Sequence, residues 1–97
     1  MKRMNRRKWA RGKPCQVRIP GVCNFDPETS VLAHVRIAGI TGGGQKAPDY
    51  LAAICCSSCH DMVDGRINTD LWSKKDRDLM LYEGVFRTQV LWEKEVD

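Results

Sequence analysis

The chain has 97 residues, of which 42% are hydrophobic and 29% are charged, and its formal net charge is +4 at pH 7. This balance predicts one globular domain with a small core and excludes a disordered chain. No stretch is long and apolar enough to predict a membrane span, and the cationic first residues lack the apolar segment of a signal peptide. We therefore expect a cytoplasmic protein with no membrane contact, whose thiols stay reduced.

Basic residues are concentrated at the start of the chain. Residues 1–13 hold seven Lys or Arg and no acidic residue, whereas residues 61–97 hold nine acidic and six basic residues. A segment of this kind suits contact with the phosphate backbone of nucleic acid, although a solvated tail would have the same composition. We divide the chain into a basic N-terminal arm, 1–13, and a single domain, 14–97. The candidate nucleic-acid-binding residues are Arg6, Arg7, Lys8, Arg11 and Arg36.

The first motif after the arm is a pair of cysteines, Cys15 and Cys23, separated by seven residues. The β-forming residues and the Pro20-Gly21 turn signal between them predict a short, irregular knuckle that turns both thiols toward one point. Residues 24–30 are rich in turn-forming residues and predict a loop.

Two short strands are predicted in the middle of the chain. Residues 31–37 predict a strand that contains His34, and residues 51–54 predict a second apolar strand. Between them, residues 39–48 include three consecutive glycines, 42–44, and predict a flexible loop. The two strands are therefore expected to form a hairpin-like pair.

The last part of the chain predicts a helix. Thr69 or Asp70 is a candidate N-cap, and Gly84 predicts a weak point at which the helix could divide. Apolar residues recur at helical spacing and predict a face that packs in the core. This face consists of Leu79, Tyr82, Phe86 and Val90, joined by Trp72 and Trp92.

Four of the five cysteines form two pairs that suit a structural zinc ion. Residues 56–64 predict the first turns of a helix that opens with Cys56-Ser-Ser-Cys59, and one tight turn lets both of these thiols bind the same ion. Cys15 and Cys23 supply the second pair. Bound zinc would contribute on the order of 10 kcal/mol to folding, which helps a core this small.

Other interpretations of the cysteines are also open. Cys55 is left over and is interpreted as a small buried hydrophobe. The CxxC pair could be a redox motif, although the larger βαβ setting of such sites is missing. A disulfide between Cys15 and Cys23 is a further alternative, and His60 could replace one of these two cysteines as a zinc ligand.

The two histidines suggest a second, catalytic site. His60 and Asp64 are four residues apart on the predicted helix, so their side chains share one face and can hold a divalent ion with open positions. Oxygen-containing ligands favour Mg²⁺ or Mn²⁺. An unperturbed imidazole titrates near neutrality, so His34 on the first strand is a candidate general base toward water. A histidine taken singly is more often an ordinary structural residue.

These motifs resemble the HNH endonuclease superfamily in its zinc-bearing form, including small prophage-encoded members. The resemblance covers the chain from Arg11 to Glu93. It rests on the runs Cys15-Gln-Val-Arg-Ile-Pro-Gly-Val-Cys23-Asn24, Pro27-Glu-Thr-Ser-Val-Leu-Ala-His34, Cys56-Ser-x-Cys59-His60-Asp61 and Arg87-Thr-Gln-Val90. It implies a small α+β fold in which zinc stabilises a treble-clef-like ββα-metal hairpin and helix, followed by a C-terminal helical segment.

The resemblance also implies roles for individual residues. His34 corresponds to the general base and His60 to the metal ligand on the helix, while Asp64 lies where many relatives have a second histidine ligand. Asp49 lies near the family's Asn and could orient His34 through a hydrogen bond. Many relatives have an Asp or His ligand directly before the base, and this chain has Ala33 there.

Two functions follow from this pattern. The first is a metal-dependent HNH endonuclease that hydrolyses nucleic-acid phosphodiester bonds, with DNA as the expected substrate in phage or prophage DNA processing or recombination. The second is a zinc-stabilised nucleic-acid-binding module without catalysis, which the alanine at position 33 favours. A homodimer or a recombination-protein partner is compatible with either function.

Overall fold

The computed structural model describes residues 5–41, 45–67 and 70–96. The glycine triplet of the predicted loop and the candidate N-cap Thr69 lie outside the described residues. The regular elements in chain order are α1 (Arg6–Ala10), β1 (Val31–His34), β2 (Ala52–Cys55), α2 (Ser57–Val63) and α3 (Lys74–Glu95). Two 3₁₀ turns, Pro27–Thr29 and Asp49–Leu51, precede the two strands.

The two strands form an antiparallel pair, as predicted. The first strand starts where predicted but ends earlier, and the second strand is shifted by one residue toward the C-terminus. Val31 lies opposite Cys55, and His34 lies opposite Ala52. The first strand ends at His34 rather than at residue 37, because β2 offers no backbone partner before Ala52. Leu51 belongs to the 3₁₀ turn that follows Pro48. Its carbonyl oxygen accepts a hydrogen bond from the Val35 nitrogen at 3.0 Å, just beyond the end of the strand pair. The register places His34 at the end of the sheet that adjoins this turn.

The helix α2 follows β2 almost directly. Cys56 is its N-cap, and its sulfur accepts a hydrogen bond from the Cys59 nitrogen at 3.4 Å. Asp64 caps the C-terminal end, and Gly65 leaves the helix with a φ of 74°. The structure confirms the predicted helix in this segment. The small α+β architecture is therefore a two-stranded sheet followed by helices.

The long helix α3 begins later than predicted and is not divided. Its N-cap is Ser73, whose hydroxyl accepts a hydrogen bond from the Asp76 nitrogen at 3.1 Å. The prediction that Gly84 weakens or divides the helix is wrong, because α3 continues through Gly84 for 22 residues. A Cβ at Gly84 would lie 2.9 Å from the Val17 side chain and 3.2 Å from Ala53 Cβ. Glycine is thus needed here for the close approach of the helix to the sheet.

The predicted apolar face of α3 is confirmed for Trp92, which is buried, and for Tyr82 and Trp72, which pack against the core, but it is wrong for the other three residues. Leu79, Phe86 and Val90 are 56%, 66% and 52% exposed. The residues that α3 buries are Leu81, Gly84, Val85, Thr88 and Trp92. Two residues of this face, Gly84 and Thr88, are small or polar and allow the helix to approach the sheet closely. The Thr88 hydroxyl, for example, donates to the Gly84 carbonyl at 2.7 Å and accepts from the Ile54 nitrogen at 3.0 Å.

The described part of the predicted arm packs on the body of the protein. Trp9 of α1 is buried, and its ring meets Trp92 of α3 edge to face, with 5.0 Å between the ring centroids. The carboxylate of Glu95 accepts hydrogen bonds from Trp9 Nε1 at 3.1 Å and from Lys13 Nζ. Residues 5–13 therefore do not extend as a solvated tail. In the described part of the chain, no helix is both long and apolar enough to cross a membrane.

Candidate metal centre and histidine cavity

The four cysteines predicted to bind zinc meet at one point. The Sγ atoms of Cys15, Cys23, Cys56 and Cys59 all lie within 4.8 Å of one another. Cys56 Sγ is 3.8 Å from Cys23 Sγ. In a tetrahedral site with zinc–sulfur bonds of about 2.3 Å, neighbouring sulfurs are about 3.8 Å apart. All five cysteines are free thiols, so the arrangement fits a metal site rather than a disulfide.

Backbone N–H groups are directed at these sulfurs. The Arg18 nitrogen lies 3.5 Å from Cys15 Sγ, and the Ile19 nitrogen lies 3.4 Å from Cys59 Sγ. Arg18 and Phe25 have positive φ angles of 54° and 57°, which are unfavourable for residues with a Cβ. In each case the turn brings a backbone N–H to a cysteine sulfur, Cys15 for Arg18 and Cys23 for Phe25. Such donors stabilise thiolates, so the strained loop is shaped to hold negatively charged sulfur.

The thiols of the cluster shift one another's pKa values in opposite directions. Hydrogen bonds from Cys55 and Cys59 hold the pKa of Cys15 far below its usual value. Burial raises the pKa of Cys23 to about 11, and the hydrogen bond to Cys15 raises the pKa of Cys59. Four adjacent thiolates repel one another unless a metal ion lies between them.

Cys55 lies next to the cluster without belonging to it. It is fully buried on β2, and its pKa is raised, first by its hydrogen bond to Cys15. The expectation that Cys55 is a small buried residue is confirmed. Its contact with Cys15 was not predicted, because it depends on the packing of the Cys15 segment beside β2, where the Gln16 nitrogen donates to the Ile54 carbonyl at 2.8 Å.

The first histidine pair joins β1 to the turn before β2. His34 Nε2 lies 2.8 Å from Asp49 Oδ1. A carboxylate only accepts hydrogen bonds, so Nε2 carries a proton, and in the neutral imidazole the lone pair is therefore on Nδ1. The hydrogen bond from His34, aided by the nearby Arg7 guanidinium at 3.5 Å, lowers the pKa of Asp49. Asp49 thus fixes the tautomer in which His34 can accept a proton through Nδ1.

The second pair lies at the end of α2. His60 Nε2 is 3.3 Å from Asp64 Oδ2, as the four-residue spacing predicts. Two arginines also reach the Asp64 carboxylate. Arg36 Nη2 lies 3.6 Å from Oδ1, and Arg66 makes a close ion pair with Oδ2. Arg66 binds Asp61 as well, at 3.0 Å, so it links both acidic residues of this segment.

One cavity contains both histidines and Asp64. A depression of about 580 Å³ is lined by His34, His60, Asp64, Arg36 and Lys46, among others. A smaller cleft of about 230 Å³ adjoins His34 and is lined by Arg7, Arg11 and Lys46. The fold therefore brings four of the predicted site residues, His34, Arg36, His60 and Asp64, to one concavity, and it places Arg7 and Arg11 in the cleft beside it.

Two of the predicted nucleic-acid-binding residues lie elsewhere. The Arg6 guanidinium lies 4.3 Å from the centroid of the Trp92 ring, and Lys8 is exposed on α1. Two cations of the site were missed in the sequence. Lys46 follows the glycine loop and Arg66 follows α2, and neither position has a spacing signal that would have identified it.

The fold and the site define a class of small α+β proteins in which a cluster of four cysteines, able to bind a metal such as zinc, lies beside a basic cavity with two histidines. The chain belongs to the family described as "Putative nuclease YbcO", which matches residues 4–96.

Known relatives agree with this family over nearly the whole chain. The chain is 57% identical over 90 residues to "Putative nuclease YbcO" of Escherichia coli strain K12, covering 92% of this chain and 91% of the relative. The same values apply to "Putative nuclease ybcO" of Enterobacteria phage 82. A solved structure titled "Structure of a putative bacteriophage protein from Escherichia coli str. K-12 substr. MG1655" superposes with a TM-score of 0.74. It is 50% identical, and the match covers 92% of this chain and 96% of that one.

Proposed function

We propose that this protein is a metal-dependent endonuclease of the HNH type that hydrolyses phosphodiester bonds in DNA. The observation that supports this most is that His34 and the His60–Asp64 pair line the same basic cavity. The order of the elements, an antiparallel strand pair followed by α2, is the order expected of a ββα-metal unit and supports the proposal. The relatives are named as nucleases, and one of them comes from a phage, which supports a role in phage or prophage DNA processing or recombination.

The residues present fit two kinds of metal ion. The four cysteine sulfurs fit zinc by distance and by their N–H donors, so we assign them a structural Zn²⁺. His60 Nε2 and Asp64 Oδ2 are 3.3 Å apart. Two adjacent ligands of an octahedral ion with bonds of about 2.1 Å lie about 3.0 Å apart, so this pair fits Mg²⁺ or Mn²⁺ after a small adjustment. Such an ion would polarise the scissile phosphate and stabilise the leaving oxygen.

The protein's own residues supply the proton transfer and the positioning. His34 Nδ1 takes a proton from the attacking water while Asp49 holds Nε2–H and stabilises the imidazolium that forms. Arg36, whose side chain is 79% exposed at the cavity, is placed to bind a phosphate oxygen. Arg7, Arg11 and Lys46 in the adjoining cleft would neutralise flanking phosphates.

The proposal is tested by plasmid cleavage. Zinc-loaded protein is incubated with supercoiled plasmid and Mg²⁺ or Mn²⁺, beside the His34→Ala variant and an EDTA control. Nicking by the unsubstituted protein alone, abolished by EDTA, is the expected result. Equal nicking by His34→Ala would contradict the assigned base. Circular dichroism and zinc content of the variant control for folding.

A zinc-stabilised nucleic-acid-binding module without catalysis is the second candidate. It is favoured by Ala33, which offers no ligand beside the base, and by the two arginines that already occupy the Asp64 carboxylate. It predicts salt-dependent DNA binding that weakens when Arg7 and Arg11 are neutralised. It also predicts that no divalent ion supports cleavage.

A further inference from the structure

The outward side of α3 is an exposed apolar surface. It consists of Leu79, Phe86 and Val90, which lie on one line along the helix and are each more than half exposed. The residues that α3 buries, such as Gly84 and Thr88, lie on the opposite side. Three large apolar side chains in a row on a single helix face indicate an interaction site. We call this the outer face of α3.

Charged residues at the two ends of the outer face have opposite signs. Lys75 lies one turn before Leu79, and Glu93 lies about one turn after Val90, both exposed on the same side of the helix. The midpoint between Lys75 and Glu93 is residue 84. The midpoint between Leu79 and Val90 lies within half a residue of it. A rotation by 180° about an axis through this point and perpendicular to the helix therefore exchanges the position of Lys75 with that of Glu93. The same rotation exchanges the positions of Leu79 and Val90.

We propose that the outer face of α3 binds the same face of a second copy of this chain, with the two helices antiparallel. This symmetric contact is self-complementary because Lys75 of each copy lies opposite Glu93 of the other, and Leu79 lies opposite Val90. Phe86 lies close to the symmetry axis and packs against Tyr82 and Phe86 of the other copy. The apolar residues supply the affinity, and the charges fix the antiparallel direction.

The surroundings of the outer face support this contact. A shallow groove of about 410 Å³ runs along its C-terminal half and is lined by Phe86, Val90 and Leu91 together with Arg18 and Lys94. Leu79 of the second copy lies next to this groove in the antiparallel arrangement. A parallel pairing would instead bring the two Lys75 side chains together and the two Glu93 side chains together, which is unfavourable.

The contact is tested by sedimentation equilibrium of the whole, zinc-loaded chain. The unsubstituted protein is expected to dimerise reversibly, and Phe86→Glu is expected to be monomeric with an unchanged circular dichroism spectrum, because Phe86 is exposed. Lys75→Glu and Glu93→Lys should each dissociate at least tenfold more readily, since each creates two like-charge contacts per dimer. Glu28→Lys, in the exposed turn before β1, is the matched control for Glu93→Lys and should dimerise normally.

Mixing the two charge variants gives the sharpest outcome. In a heterodimer of Lys75→Glu with Glu93→Lys, both contacts again join opposite charges, so the mixture should recover the original affinity. With one variant uniformly labelled with ¹⁵N, native mass spectrometry would detect the mixed species by its intermediate mass. An unsubstituted chain that stays monomeric at millimolar concentration would overturn the proposal. Failure of the mixture to associate better than either variant alone would overturn the antiparallel arrangement.

Discussion

His34 and Asp49 are joined by a 2.8 Å hydrogen bond between the end of β1 and the turn that leads into β2. The two residues are fifteen positions apart, and the antiparallel register brings them together. The bond gives the neutral imidazole one defined tautomer. In this tautomer Nδ1 can accept a proton, as the proposed role of His34 as a base requires. Because Asp49 acts through His34, it is a positioning residue.

Asp49→Ala should lower the rate of plasmid cleavage by about 10- to 100-fold, which is the usual cost of losing a residue that orients a catalytic histidine. Asp49→Asn should retain more activity, because the amide oxygen still accepts the bond from Nε2–H. The pH–rate profile is the decisive readout. The apparent pKa of the base should fall in both variants, since the carboxylate no longer stabilises imidazolium. An unchanged profile would show that Asp49 is only a structural residue.

The same pair predicts how stability changes with pH. The pKa of Asp49 is lowered in the folded state, chiefly by the hydrogen bond from His34. Its contribution to stability is therefore fully present above the unfolded-state value of about 3.9 and is lost as the pH falls through the lower folded value. Thermal melts of the native chain and of Asp49→Asn should differ at pH 6, begin to approach each other below about pH 4 and converge only below the lowered folded pKa of Asp49. A difference that grows on acidification would contradict this assignment.

Loss of zinc should unfold the protein. Cys59→Ser should reduce the zinc content from one ion per chain to near zero, as measured by inductively coupled plasma mass spectrometry. The free energy of unfolding at neutral pH should fall by an amount on the order of 10 kcal/mol. Cys55→Ala is the matched control, because Cys55 lies beside the cluster but outside the group of four. It should keep the zinc and lose only packing energy. Zinc loss in Cys55→Ala would show that the ligand set is different.

Arg66 should oppose binding of the catalytic ion. Its guanidinium holds both Asp61 and Asp64, so a divalent ion must displace it from the Asp64 carboxylate. Arg66→Ala should bind Mn²⁺ several-fold more tightly in a titration followed by electron paramagnetic resonance. Asp64→Asn should bind it more weakly. Equal Mn²⁺ affinity in all three proteins would place the ion elsewhere.

Gly84 should be intolerant of a larger side chain. A Cβ at this position would lie 2.9 Å from the Val17 side chain and 3.1 Å from its Cα. Gly84→Ala should therefore destabilise the protein by about 1–3 kcal/mol in urea unfolding, although alanine is the better helix former. Glu83→Ala, on the exposed side of the same turn, should be nearly neutral. A stabilising effect of Gly84→Ala would mean that the helix can move away from the sheet.

Local spacing explains which parts of the site could be predicted. The CxxC pair and the His60–Asp64 contact follow from spacing along one turn or one helix, and the approach of Cys15 to Cys23 follows from the turn signal between them. The outer face of α3 was misinterpreted, because helical periodicity finds an apolar face and cannot tell whether a neighbour covers it. The side that packs in the core contains Gly84 and Thr88, which are chosen for close approach and not for hydrophobicity. Lys46 and Arg66 enter the site through tertiary structure, which the sequence pattern does not encode locally.

We propose that His34 and His60 act together on one phosphodiester bond, and a double-mutant cycle tests this most directly. Single-turnover nicking of plasmid with Mn²⁺ would be measured for the native chain, His34→Ala, His60→Ala and the double variant, each loaded with zinc. Residues of one catalytic unit are not additive, so each single variant should lose nearly as much activity as the double variant. Losses that add independently, or a fully active single variant, would contradict a shared site.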